Sequence, residues 1–180
     1  ENDFTLAADV DGGSTFSTVL NNMTPGVEME IRVCAYRTVA GKKIPGKFSG
    51  IVTAMAMPVA PTNVTTSLVD EKTLTVSWTG SKGADGYDLY MWYEPKVYEE
   101  PTGGYMSLSR AEIALEDMTF VVSTAETSHT VTGLVPGYLY YFRVVPFVEG
   151  ADGPVTGPAS ATSAGNFPRP KKPATFTGTA

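Results

Sequence analysis

The sequence predicts an all-β chain made of repeated sandwich modules, on three observations. Short runs alternate apolar and polar residues with the two-residue period of a strand. Clusters rich in Gly and Pro separate those runs at the spacing of a β-sandwich. The chain also repeats itself: Met23-Thr24-Pro25-Gly26-Val27-Glu28-Met29-Glu30-Ile31-Arg32-Val33 falls on Leu134-Val135-Pro136-Gly137-Tyr138-Leu139-Tyr140-Tyr141-Phe142-Arg143-Val144 after a shift of 111 positions (136 − 25). The same shift pairs Gly46 with Gly157 and Ser49 with Ser160. A period of this length is that of a domain array, so the unit to be explained is one module.

The strands follow in order. From Thr73 to Thr79, Leu74, Val76 and Trp78 face one way and Thr73, Thr75, Ser77 and Thr79 the other, the pattern of a half-buried antiparallel strand. After the turn residues Gly80 to Gly86 comes Tyr87-Asp88-Leu89-Tyr90-Met91-Trp92-Tyr93, whose members Tyr87, Leu89, Met91 and Tyr93 are expected to share a face, with Tyr87, Leu89 and Met91 turned inward. Further strands are expected at Thr119 to Ser123, Ser128 to Thr132 and Tyr138 to Phe147, with a last one near Thr156 to Ser163.

These residues resemble the fibronectin type III family. The likeness rests on Pro61 opening the first strand, Trp78 in the second, Gly86-Tyr87-Asp88-Leu89 opening the third, and Leu134 to Val144 leading into the sixth. It implies tandem immunoglobulin-like β-sandwich modules, with Trp78 as core anchor, Leu134 plugging one end and Tyr140 tying its hydroxyl to backbone as a tyrosine corner. Residues 59–167 then form a complete module with an insertion at 94–118. Residues 1–58 resemble only the C-terminal half of a module, through Met23 to Gly26 and Ile31-Arg32-Val33-Cys34-Ala35-Tyr36, with Met29 where the corner tyrosine belongs. Residues 168–180 are expected to be a linker and the first strand of a further module, because Pro173 to Thr179 reads like Pro61 to Ser67.

Half a sandwich exposes its core face and is not expected to stand alone. The expectation is therefore a window cut from a longer array. The alternative is a half-module completed by a strand from a neighbouring chain, which builds a head-to-tail filament. The tail supplies one strand for that purpose, whereas three are missing. The proline-stiffened linker Met57-Pro58-Val59-Ala60-Pro61 and the longer, basic, proline-rich 165–173 predict a semi-rigid rod.

Composition narrows the function. Apolar residues at 42% and aromatics at 11% describe a globular chain, and a net charge of −6 without a basic stripe argues against nucleic acid as a partner. No apolar run reaches the length of a membrane span, so no membrane insertion is expected in this segment. Cys34 is the single cysteine and leaves the compartment open. Asn22-Met23-Thr24 and Asn63-Val64-Thr65 match the N-glycosylation pattern, which arises readily by chance in a Thr-rich chain.

No residue set in the sequence has the pattern of a catalytic site. His129 is the single histidine, and its neighbour Ser128 points to the opposite strand face, so the two make no nucleophile and base. Asp9-Val10-Asp11-Gly12 has the start of a calcium loop without its remaining ligands. Glu99-Glu100 and Glu116-Asp117 lack a partner that separates their pKa values. No catalytic residue, cofactor site or metal site is expected, and the chain reads as no enzyme.

The informative departure is the insertion. Ser107-Leu108-Ser109-Arg110-Ala111-Glu112-Ile113-Ala114-Leu115-Glu116-Asp117 has a serine cap, Glu112 three positions after Ser109 and apolar Leu108, Ala111, Ile113 and Leu115, which predicts a short helix. Beside it Tyr90 and Trp92 are expected on the outer face with Leu139, Tyr141 and Arg143, where the first copy carries Glu28, Glu30 and Arg32. The insertion covering this face is one expectation. The other is an interaction patch of Tyr90, Trp92, Tyr141 and Arg143 that contacts protein or stacks on sugar rings. The expected function is that of a structural or adhesive spacer in an extracellular or cell-surface multi-module protein, contacting other modules or identical chains. The stretch from Ala35 to Ser49 resembles a hairpin of bacterial surface proteins of this family. The alternative is a carbohydrate-binding or enzyme-accessory module.

Overall fold

A computed structural model describes residues 4–11, 17–95, 98–99, 104–105 and 113–169. Its N-terminal part holds β1 (Glu28–Ile31), β2 (Cys34–Val39), β3 (Lys42–Phe48) and β4 (Val52–Met55). The remainder holds β5 (Thr62–Asp70), β6 (Thr73–Thr79), β7 (Gly86–Pro95), β8 (Tyr98–Glu99), β9 (Gly104–Tyr105), β10 (Thr119–Thr124), β11 (Ser128–Val131), β12 (Tyr138–Val148) and β13 (Val155–Thr156).

A three-stranded sheet of order β11-β6-β5 faces a four-stranded sheet of order β10-β7-β12-β13, and every pairing is antiparallel. The alternation in β6 aims Leu74, Val76 and Trp78 into the space between the sheets, where they meet Tyr87 and Leu89 of β7 and Tyr140, Phe142 and Val144 of β12. Trp78 stands edge-on to Tyr87 with ring centroids 5.6 Å apart. Leu134 is buried and donates its amide to Lys72 O, closing one end of the core. Tyr140 is buried and its hydroxyl accepts the Val135 amide at 2.8 Å, the tie a tyrosine corner makes.

Tyr93 pairs with Tyr140 in register and its ring lies 5.7 Å from the Tyr140 ring, on the face shared with Tyr87 and Leu89, though it is 51% exposed. The last strand, expected near Thr156 to Ser163, is regular only at Val155–Thr156; beyond Pro158 the chain still follows β12, with Ser160 N donating to Val144 O and Ser163 N to Phe142 O, while the serine hydroxyls accept the return bonds. There Val144 N donates to Ser160 Oγ and Phe142 N to Ser163 Oγ, each at 3.0 Å. The helix expected over residues 107–117 lies mostly outside the described residues; its described end is a single 3-10 turn, Leu115–Asp117, with no side-chain cap. Earlier in the insertion β8 pairs with β9. The opening strand expected after Pro173 also lies outside the described residues.

The N-terminal part pairs β1 with β4 and β2 with β3. It reproduces the hydrogen bonding of the larger part at the repeat offset. Ser49 N donates to Val33 O at 2.7 Å while Val33 N donates to Ser49 Oγ at 2.9 Å. At the matching positions Ser160 N donates to Val144 O at 2.8 Å and Val144 N to Ser160 Oγ at 3.0 Å. In both, the hydroxyl donates onward to the next carbonyl, that of Gly50 or of Ala161.

The two parts meet backbone to backbone. Gly26 (φ +75°) lies so close to the turn after β6 that a Cβ there is 2.6 Å from Gly83 O and 3.3 Å from a Val148 methyl. A Cβ on Gly83 (φ +78°) collides with the Pro25 carbonyl. Only glycine permits this approach with a left-handed backbone on both sides.

Candidate interaction face

The outer face of the four-stranded sheet is set by register. Tyr141 of β12 pairs with Trp92 of β7, and Arg143 with Tyr90, so all four candidate side chains stand side by side. The Trp92 and Tyr141 rings are 5.7 Å apart, and Tyr90 meets Phe120 of β10 edge-on at 5.8 Å.

This face is roofed by the chain itself. Ile113 and Met118 at the returning end of the insertion are buried against Leu139 and Tyr141, with Leu115 and Phe167 alongside. Tyr141 is 6% and Leu139 9% exposed. Gly165 lies flat on the Tyr141 ring, where a Cβ is 2.8 Å from a ring carbon, and the Tyr141 hydroxyl donates to Glu94 Oε1 at 3.2 Å. Burial, with a smaller contribution from Asp88, holds the Tyr90 hydroxyl above its ordinary pKa. Tyr90 and Trp92 keep part of their surfaces in solvent.

Arg143 fastens the roof. Its Nε donates to Ser160 O at 2.9 Å and its NH1 to Ile113 O at 3.0 Å, so one guanidinium joins the insertion to the strand edge. The sequence placed Arg143 beside the aromatics, but nothing local marked it as a fastener. The repeat did carry a signal, because Arg32, 111 positions earlier (143 − 32), is also held, its guanidinium carbon 3.9 Å from the Phe4 ring centre and 4.2 Å from that of Phe48. Arg143→Met keeps the stem's packing and removes both bonds. It is expected to lower stability by about 1–3 kcal/mol in denaturant titration and to speed proteolysis between β7 and β10. Unchanged cleavage there would show that Arg143 fastens nothing.

The other sequence candidates are engaged elsewhere. Asp9 pairs with Lys43, and the Tyr36 hydroxyl donates to Asp11, so both carboxylates bind the β2–β3 hairpin. Among the described residues no cluster of His, Cys, Asp and Glu is arranged to hold a metal ion. The Lys43 hydrogen bond holds the Asp9 carboxyl below its ordinary range. A depressed folded value means that the tie has full strength above the ordinary Asp pKa of about 4 and is lost as pH falls through the folded value. Amide shifts of residues 4–11, followed by NMR from pH 5 downward, should therefore move toward random-coil values below about pH 4. Shifts that stay constant to pH 2 would contradict the tie. His129 is half-buried on β11 opposite Val76. Asn63, in one of the two glycosylation patterns, donates its side-chain amide to Thr79 Oγ1 at 3.2 Å.

Two antiparallel sheets of three and four strands, with a tryptophan anchor and a tyrosine corner, define an immunoglobulin-like sandwich module. Residues 59–162 match the family model described as the fibronectin type III domain, and the chain belongs to that family. It is 22% identical over 153 residues to a tyrosine-protein phosphatase Lar-like protein of Caenorhabditis elegans; the match takes in 85% of this chain and spans 6% of that protein's length. Among solved structures it is similar to the FN1–FN3 domains of chicken CNTN1 (23% identity, 82% of this chain, 44% of that one, TM-score 0.44). The FN5 domain of Drosophila Lar is 19% identical and wholly covered, with 64% of this chain and a TM-score of 0.41. Among the described residues no helix is long and apolar enough to cross a membrane.

Proposed function

We propose that this chain is a structural or adhesive spacer segment of an extracellular, multi-module protein, in which 1–58 is the C-terminal half of one module, 59–167 a complete module and 168–180 the approach to the next. The observation that carries this reading is the repeated hydrogen-bond pattern at Ser49 and Ser160, which supports reading the N-terminal part as a second copy of one sandwich edge. The close packing of Gly26 on Gly83 supports a stiff connection, as a spacer requires. Membership of a family of structural modules and the covered aromatic face support a role without catalysis. A bacterial source is part of this proposal and rests on the resemblance of residues 35–49 alone.

The natural protein, imaged by electron microscopy, should be a rod of regularly spaced modules that holds its shape without ligand. A single globule of larger size would sink the reading. Carbohydrate binding remains an alternative because Tyr90 and Trp92 keep some exposure. A polysaccharide pull-down that captures the chain, and loses it in Trp92→Ala, would replace the spacer reading with this one. A filament completed by strand exchange requires association of the isolated chain, and sedimentation as a monomer removes it.

A further inference from the structure

The joint between the two parts has a counterpart, 111 positions on, that no described residue fills. Pro25-Gly26 corresponds to Pro136-Gly137, and both glycines have left-handed backbones, with φ +75° and +86°. At Gly26 the space for a side chain is filled by Gly83 O and by Val148 of the neighbouring sandwich. At Gly137 an added Cβ meets nothing within 4 Å. The same turn, made by the same kind of sequence, is occupied once and open once.

The surroundings of the open copy are apolar. Val135 is 50% exposed beside Gly137, and Tyr138 of this turn stacks with Tyr93, itself 51% exposed. Leu134 N bonds to Lys72 O, which brings the turn between β5 and β6 to the same pole together with Leu68 (44% exposed) and Val69 (57%). A depression of about 570 Å3 opens here, lined by Leu68, Val69, the Asp70–Thr73 turn and Arg169. Arg169, in the segment that follows the sandwich, lies at this pole. The exposed Val135, Tyr93, Leu68 and Val69 at this end make a patch that association would remove from water.

We propose that this pole is the seat of a further sandwich module of the same kind, following in the chain, whose turn glycine and hairpin side chain pack on Pro136-Gly137 as Gly83 and Val148 pack on Pro25-Gly26. The proposal rests on the array reading and adds to it the contact surface and its occupant. It specifies the partner's chemistry. A glycine must stand where Gly83 stands, since a Cβ there strikes the proline carbonyl, and an apolar residue must stand where Val148 does.

The test compares hydrogen exchange in the 180-residue chain with that in a chain extended along the natural reading frame through the next module. Docking slows the amides of Val135, Gly137 and Tyr138 by about tenfold or more in the extended chain. Two variants should restore the rates of the shorter chain while leaving Phe142 and Val144 protected. Val135→Glu charges an exposed position, and Gly137→Asn keeps a left-handed backbone accessible while placing a side chain in the joint. A folded following module with unchanged exchange at Val135 to Tyr138 overturns the docking and leaves the array standing. Slow exchange retained in both variants also overturns the docking. An extension that encodes no sandwich overturns the array and the docking together.

Discussion

Trp78→Ala is expected to remove about 3–5 kcal/mol from the sandwich, the usual cost of deleting a large buried aromatic, and so a large part of a domain's typical stability of 5–15 kcal/mol. Trp78 is 6% exposed and sits between Leu74, Val76, Leu89 and Tyr87, so the void has walls in both sheets and little freedom to collapse. Guanidinium denaturation monitored by far-UV circular dichroism measures the loss. Trp78→Phe should cost less, because Trp78 Nε1 is buried with no hydrogen-bond partner among the described residues and phenylalanine removes that donor together with some volume. If the alanine variant unfolds within 1 kcal/mol of the parent, Trp78 is not the anchor of this core.

Gly83→Val should open the joint between the N-terminal part and the sandwich. A Cβ at this position collides with the Pro25 carbonyl, a backbone group that cannot swing aside, and the left-handed φ of +78° adds a cost for a β-branched residue. The combined penalty is about 2 kcal/mol or more, and separating the two parts relieves most of the collision. Small-angle scattering should report a larger radius of gyration, while amides of Leu74 and Phe142 keep their exchange protection. Unchanged scattering would mean that the approach of Gly26 and Gly83 does not hold the parts together.

The two substitutions sit at opposite ends of what a sequence displays. Trp78 is legible because a strand's period puts Leu74, Val76 and Trp78 on one face whatever lies opposite. Leu134 and Tyr140 were legible for a similar reason: both belong to one short segment, and the Tyr140 hydroxyl reaches a backbone amide only five residues away. The joint was not legible. Gly83 is one glycine in a glycine-rich turn, and its partner is 57 positions distant (83 − 26). The same holds for Asp9 and Asp11, whose acceptor roles depend on where the β2–β3 hairpin returns.

The candidate face lies between these cases. Period two placed Tyr90, Trp92, Tyr141 and Arg143 together on the outside of the sheet, and the β7–β12 register does bring them side by side. Whether that face meets solvent was a question about a third segment. The answer came from Ile113, Met118, Gly165 and Phe167, which reach the face from two different parts of the chain.

By itself, then, the sequence determined the class of fold, the membership of the inner face and the echo between two segments, because each depends on backbone period and turn chemistry over a few residues. Tertiary structure alone decided what covers the outer aromatics, which carbonyls Arg143 holds and how Gly26 meets Gly83. Those outcomes depend on distances between segments far apart in the chain, set by how sheets stack and where loops return, and no local period encodes them.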